Sequence, residues 1–185
     1  IGRLIGLPLL RVLSIASGQP AESLHEVAAL YRRHAGTPEV LARFRLFPRV
    51  RETLAELSGR GKMLTIATSK SRAVTEEILV TVGLDDLVRE VVGGDSVAPG
   101  RGKPHPEAVE LILRRTGCSP RRAAVVGDTT YDMEMGRAAG AITIAATYGM
   151  HDRATLEALA PDALIDGIAE LTDPDARTRS PGSGS

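Results

Sequence analysis

The chain has 185 residues, 43% of them hydrophobic but only 3% aromatic, which excludes a disordered chain and predicts a core of aliphatic side chains. Its 23 basic and 23 acidic residues balance, so nothing favours a nucleic-acid surface or a polybasic membrane anchor. No apolar run approaches the roughly 20 residues that span a bilayer, and the single cysteine, Cys118, favours a reducing, cytoplasmic location.

The order of predicted elements indicates an α/β fold. Residues 1–43 show helical patterns only, whereas from residue 44 onward strands and helices alternate. This alternation predicts a doubly wound parallel sheet with helices on both faces. The predicted organisation is a helical segment (1–43), an α/β core (44–172) and a polar, disordered tail (173–185). The predicted strands are 63–68, 89–94, 123–127, 141–146 and 163–166. Of the predicted core helices, the first begins at Pro48, and a later one follows the strand 123–127 and ends at Gly140. The others cover 71–83, 106–117 and 152–160.

Polar side chains follow the predicted strands at their carboxyl ends, where open parallel sheets bind ligands. Thr68 and Ser69 follow the first strand, and Lys103 lies in the loop after the second. Asp128 ends the third strand, and Asp132 follows four residues later. A hydroxyl, an ammonium group and two carboxylates are therefore expected at one edge of the sheet.

Each of these residues also has a purely structural explanation. Thr68 or Ser69 suits a helix N-cap, and the two acids suit the first turn of a helix. Lys103 suits a solvated loop, but it is one of only three lysines among 23 basic residues, which favours a need for a compact charge there. The remaining candidates, His105, His151 and Cys118, are interpreted as loop residues without a catalytic role.

Taken together, the set predicts phosphate chemistry with a magnesium ion. Mg²⁺ is typically held by one or two carboxylates, with waters and phosphate oxygens completing its coordination. A hydroxyl and backbone N–H groups hold phosphate oxygens, and a lysine neutralises the transferring group. The chain contains neither GxxxxGK[ST] nor GxGxxG, so nucleotide binding through those loops is unsupported.

Three stretches, TIATSK, GRGKPHPE and VVGDTTYDMEMGRAAG, resemble in this order the second, third and fourth motifs of the haloacid dehalogenase superfamily. Within it, the chain is similar to the phosphoglycolate phosphatase-like branch over about residues 44–171. The resemblance implies a Rossmann-type core with a small helical cap, of which residues 1–43 would be the later part.

The resemblance also implies a role for each candidate residue. Thr68 corresponds to the hydroxyl that binds the phosphoryl group, with the Ser69 backbone beside it. Lys103 corresponds to the lysine that stabilises the nucleophile and the phosphoaspartate intermediate. Asp128 corresponds to a magnesium ligand, and Asp132 to an acid that supports the metal directly or through water.

The sequence departs from the family pattern at two places. Arg49 stands where the family usually has glycine. More importantly, the first motif, DxDGT, which supplies the nucleophile, is absent from these 185 residues. Its strand would lie between the Thr68 and Asp128 strands, so its loss would leave two apolar edges unpaired. Together with the initial Ile1, this leads to the expectation that the chain is the truncated product of a longer gene.

The expected function is that of a Mg²⁺-dependent phosphatase of small phosphorylated metabolites, active only with its first motif restored. A pyrophosphatase or a sugar phosphomutase of the same superfamily is an alternative, as is a non-catalytic phosphate-binding module. A receiver-type signalling domain fits less well, because its lysine would follow its acids, whereas Lys103 precedes Asp128. Neither nucleic acid nor a membrane is expected as a partner.

Overall fold

The structure, a computed structural model, describes residues 4–173. The predicted disordered tail therefore lies outside the described residues, apart from Asp173. The strands are β1 (Leu64–Ala67), β2 (Val88–Val92), β3 (Ala124–Gly127), β4 (Ile142–Ala146) and β5 (Ala163–Ile165). The α-helices are α1 (Leu9–Ser17), α2 (His25–Ala35), α3 (Pro38–Leu41), α4 (Val50–Gly59), α5 (Arg72–Val82), α6 (Glu107–Thr116), α7 (Thr130–Ala138) and α8 (Arg153–Glu157).

The five strands form two parallel sheets instead of one. β1 pairs with β2, and β4 lies between β3 and β5. Within the described residues, β1 and β3 each pair on one side only. These are the two edges that the resemblance leaves without a neighbour.

One apolar core spans both sheets. It contains one side of α6 together with Val92 of β2 and Met135 of α7. Ala67 of β1 and Val125 of β3 pack against it, so the two sheets share this layer of helices. On the opposite face of the β1–β2 sheet, α4 and α5 pack over Val91. The carboxyl ends of β1 and β3 are thereby held at one side of the molecule.

One face of the second sheet is partly exposed among the described residues. Val126 of β3 and Ile142 of β4 are 41% and 42% exposed, although both are apolar. Helix α7 packs against β3 and β4 on the other face only, where Gly136 lies close to Val125 and Thr143. The predicted α/β fold of parallel strands and helices is present; within the described residues, helices cover both faces of the β1–β2 sheet, and α7 covers one face of β3 and β4.

Within residues 4–43, for which helices are predicted, the regular elements are helices, and these lie next to the core. Helix α1 packs against α2, and α3 contacts α5. Leu24 and Ala28 in this segment are buried. Among the described residues, no helix is long and apolar enough to cross a membrane.

Two predicted helix boundaries differ from the structure for local steric reasons. Helix α4 begins at Val50 and not at Pro48, because Arg49 adopts the left-handed conformation with φ 67°. Helix α8 ends at Glu157 and not at Ala160, which has φ 47° and precedes Pro161. A residue before proline is driven out of the helical region by the proline ring.

Candidate functional site

The amino end of α7 is fixed by a capping box that includes Asp132. Thr129 accepts the Asp132 backbone N–H, and the Asp132 carboxylate accepts the Thr129 N–H at 3.1 Å and its hydroxyl at 2.6 Å. Gly127 permits this turn, since a Cβ there would lie 2.3 Å from the Cβ of Asp132. Asp132 is only 5% exposed, so its carboxylate is held inside the protein.

Lys103 lies against this carboxylate and not in solvent. Its Nζ is 2.5 Å from Oδ1 of Asp132, and its side chain is 14% exposed. Lys103 belongs to the loop after β2, in the first sheet, whereas Asp132 lies on α7, which packs on the second sheet. The ion pair therefore connects the two sheets at their carboxyl edge.

Asp128 follows β3 directly and receives a hydrogen bond from the loop after β4. The backbone N–H of Met150 donates to its Oδ2 at 3.0 Å, while its Oδ1 makes no hydrogen bond within the described residues. Tyr148 in the same loop packs edge-on against Phe47, with ring centroids 5.2 Å apart. Burial raises the pKa of the Tyr148 phenol, and the charge of Asp128 raises it further.

Thr68 and Ser69 lie at the end of β1, on the other side of the gap between the sheets. The Thr68 hydroxyl accepts the backbone N–H of Lys70 at 3.2 Å, which shapes the turn into α5. The Ser69 hydroxyl donates to the carbonyl of Gly6 at 2.7 Å. Both hydroxyls therefore already have hydrogen-bond partners within the protein, and their roles in binding phosphate remain predictions.

Lys70 adds a second ammonium group that the sequence analysis did not single out. Desolvation lowers its pKa below the ordinary value of 10.5, Lys103 lowers it further, and Asp128 opposes both effects. Lys70 thus interacts with residues from both sheets at the same edge.

The segment before α1 covers part of this edge. Gly6 has φ 105°, and a Cβ there would lie 3.1 Å from the Thr129 side chain. A Cβ at Gly102 would lie 2.5 Å from Pro8, so the loop that carries Lys103 also contacts this segment closely. Neither contact could be found from the sequence, because a loop of small residues carries no signal for its distant neighbours.

Asp128 and Asp132 could hold a magnesium ion that has few ligands from the protein. Asp128 keeps one oxygen without a hydrogen bond from the described residues, as a direct ligand requires. The Asp132 carboxylate already accepts three hydrogen bonds, one from Lys103 and two from Thr129. It is therefore better suited to support a metal through a bound water than to bind the metal directly. Within residues 4–173, no group of three or more His, Cys, Asp and Glu side chains could hold a metal by itself.

The family model of haloacid dehalogenase-like hydrolases matches residues 1–146. The chain therefore belongs to this family. A solved haloacid dehalogenase-like hydrolase from Bacteroides fragilis superposes with a TM-score of 0.85 at 29% identity, over 92% of this chain and 80% of that one. CbbY from Rhodobacter sphaeroides, solved in complex with phosphate, shares the fold with a TM-score of 0.66 at 24% identity, over 83% of this chain and 67% of that one.

Several curated proteins are similar in sequence. "Probable phosphatase IndB" of Dickeya dadantii is 36% identical over 170 residues, 90% of this chain and 73% of that protein. Pyrophosphatase PpaX of Bacillus velezensis is 34% identical over 169 residues, 90% of this chain and 74% of that protein. Phosphoglycolate phosphatase of Haemophilus influenzae is 34% identical over 127 residues, 69% of this chain but only 56% of that protein.

Proposed function

We propose that the complete protein is a Mg²⁺-dependent phosphatase of small phosphorylated metabolites. The ion pair between Lys103 and Asp132 carries the proposal, because it places a shielded ammonium at the carboxyl edge of both sheets. A solvated loop lysine would not be 14% exposed with its Nζ 2.5 Å from a carboxylate. Similarity to three proteins named as phosphatases or a pyrophosphatase supports the same class of reaction.

In the proposed reaction an aspartate carboxylate attacks the phosphorus atom. The bond from phosphorus to the substrate oxygen breaks as a phosphoaspartate forms, and the substrate takes up a proton and leaves as an alcohol. Water then attacks the phosphorus, gives up a proton, releases phosphate and regenerates the carboxylate. We propose that a segment upstream of Ile1 supplies this aspartate, because DxDGT is absent from the 185 residues. The open edges of β1 and β3 support the same placement. The chain of 185 residues alone is accordingly expected to be inactive.

The residues of this chain would bind and stabilise. Thr68 and the Ser69 backbone would hold phosphoryl oxygens, and Lys103 would neutralise charge on the nucleophile and the phosphoryl group. Asp128 would ligate Mg²⁺, with Asp132 supporting it through water. When bound, the ion would offset the negative charge of the phosphoryl group. The single cysteine, Cys118, supports a cytoplasmic location for this activity.

Phosphatase activity is tested on the complete protein with p-nitrophenyl phosphate and Mg²⁺. We expect phosphate release, with a loss of about 10²-fold or more in Asp128→Asn, because a fixed charge at the reacting group is removed. Asp85→Asn is the matched control, since Asp85 is exposed before β2, at the opposite edge of the sheet. Full activity in Asp128→Asn would contradict the proposal.

Pyrophosphatase activity is the second candidate, because PpaX aligns with 90% of this chain. The values of kcat/KM for pyrophosphate and for phosphoglycolate separate the two candidates. A preference of tenfold or more, about 1.4 kcal/mol in transition-state binding, would assign the substrate class. Neither substrate being hydrolysed, with phosphate still bound, would favour the non-catalytic alternative.

A further inference from the structure

The loop after β4, residues 147–151, encloses the carboxylate of Asp128 at very short range. A Cβ at Gly149 would lie 2.1 Å from Oδ2 of Asp128 and 2.2 Å from its Cβ. The next residue, Met150, donates its N–H to the same oxygen at 3.0 Å. Any side chain at position 149 would therefore displace either the carboxylate or the loop.

His151 connects this loop to the helix that carries Asp132. Its backbone N–H donates to the Asp128 carbonyl at 3.1 Å. Its Nδ1 accepts the N–H of Thr130, also at 3.1 Å. Thr130 is the first residue of α7, and its N–H has no acceptor within the helix itself.

The imidazole of His151 keeps this position although one of its nitrogens is buried without a hydrogen-bond partner among the described residues. Because Nδ1 accepts a hydrogen bond, the neutral ring carries its proton on Nε2. That nitrogen is buried and has no hydrogen-bond partner within residues 4–173. A buried unpaired donor costs about 1–3 kcal/mol, so the bonds that the residue makes to Asp128 and α7 must offset this cost.

We propose that Gly149 and His151 are positioning residues that set the orientation of the Asp128 carboxylate relative to α7. The loop fixes Oδ2 and the carbonyl of Asp128, and it leaves Oδ1 as the oxygen for a ligand. The inference rests on the proposed function, since it assigns these residues to the support of a metal ligand. Residues that orient metal ligands typically change metal affinity by about 10- to 100-fold when mutated.

The first test measures Mn²⁺ binding to the complete protein by electron paramagnetic resonance, without substrate. Gly149→Ala is expected to weaken Mn²⁺ binding by about 10- to 100-fold. Gly167→Ala is the matched control, because Gly167 follows β5 in extended backbone and a Cβ there meets nothing within 4 Å. Gly149 is itself exposed, so its replacement tests the inference without opening the core. Unchanged affinity in Gly149→Ala would overturn the proposal.

A second pair of variants tests the imidazole. His151→Leu removes the acceptor for Thr130 and is expected to weaken Mn²⁺ binding by about 10-fold or more. His151→Asn offers its side-chain oxygen in place of Nδ1 and should stay within about threefold of wild type. His34→Leu, at an exposed histidine of α2, is the control.

The outcomes separate this inference from the proposed function. Equal losses in His151→Leu and His151→Asn, or no loss in either, would overturn the role of Nδ1. Wild-type protein that binds Mn²⁺ no better than Asp128→Asn would overturn the proposed metal site and this inference together. Tight wild-type binding with unchanged Gly149→Ala would overturn this inference alone.

Discussion

At the scale of single residues, Lys103 is a largely shielded ammonium group paired with a buried carboxylate. Its Nζ lies 2.5 Å from Asp132, with little solvent exposure. Arginine keeps the charge but is planar and wider, so Lys103→Arg should displace its neighbours. We expect kcat of the complete protein to fall by about 10²–10³-fold. Lys62→Arg, at an exposed lysine before β1, is the control. Turnover of Lys103→Arg within about twofold of wild type, far below that cost, would return Lys103 to a structural role.

Arg49 is a second residue whose conformation leads to a prediction. It has φ 67°, in the left-handed region that costs a residue with a side chain about 1–2 kcal/mol. Glycine adopts this conformation without strain, because it has no Cβ. Arg49→Gly should raise the free energy of unfolding by about 0.5–1 kcal/mol, measured with urea, after allowing for glycine's unfolded-state entropy. Arg43→Gly, at a residue without positive φ, should not stabilise. A less stable Arg49→Gly variant would contradict this explanation.

At the scale of elements, helix α7 depends on its N-cap for both stability and the site. Thr129 is 2% exposed, and its hydroxyl bonds the Asp132 carboxylate at 2.6 Å. Thr129→Ala should lower the free energy of unfolding by about 1–2 kcal/mol. Thr129→Ser keeps the hydroxyl and should recover most of this loss. Urea denaturation of the complete protein measures both, and equal stability of the two variants would mean that the cap contributes little.

The same helix illustrates how much the sequence can predict. The small residues of β3 and the polar turn after it indicate a strand followed by a helix, and both are present. Asp128 and Asp132 are recognisable as site residues from the sequence, because they are carboxylates that follow an apolar strand. The hydrogen bond from the Met150 N–H to Asp128 is not predictable from the sequence, since every loop residue except proline has a backbone donor and its acceptor depends on tertiary packing. The sequence predicts Asp132 as an acid that supports the metal. The structure shows that Asp132 also has a structural role, because it forms part of the capping box of α7.

At the scale of the whole molecule, the two sheets share an apolar core, but among the described residues no strand of one sheet pairs with a strand of the other. Helix α6 packs against β1 and β2, and Val125 of β3 packs against the apolar cluster to which α6 contributes. The inner edges of β1 and β3 are therefore unpaired among the described residues. Such edges expose backbone N–H and C=O groups to solvent or to another chain. A strand from the proposed upstream segment would satisfy both edges at once.

This arrangement predicts a difference in hydrogen exchange between the 185-residue chain and the complete protein. Amide groups of β1 and β3 that face the gap should exchange quickly in the shorter chain, because only water pairs with them. They should become protected in the complete protein, where a central strand would pair with both edges. The outer edge of β2, which has no partner strand within residues 4–173, serves as an internal control. Hydrogen exchange followed by mass spectrometry resolves peptides from all three strands. Equal protection of β1 and β3 in the two proteins would show that no strand enters the gap, and the nucleophile would then have to come from elsewhere.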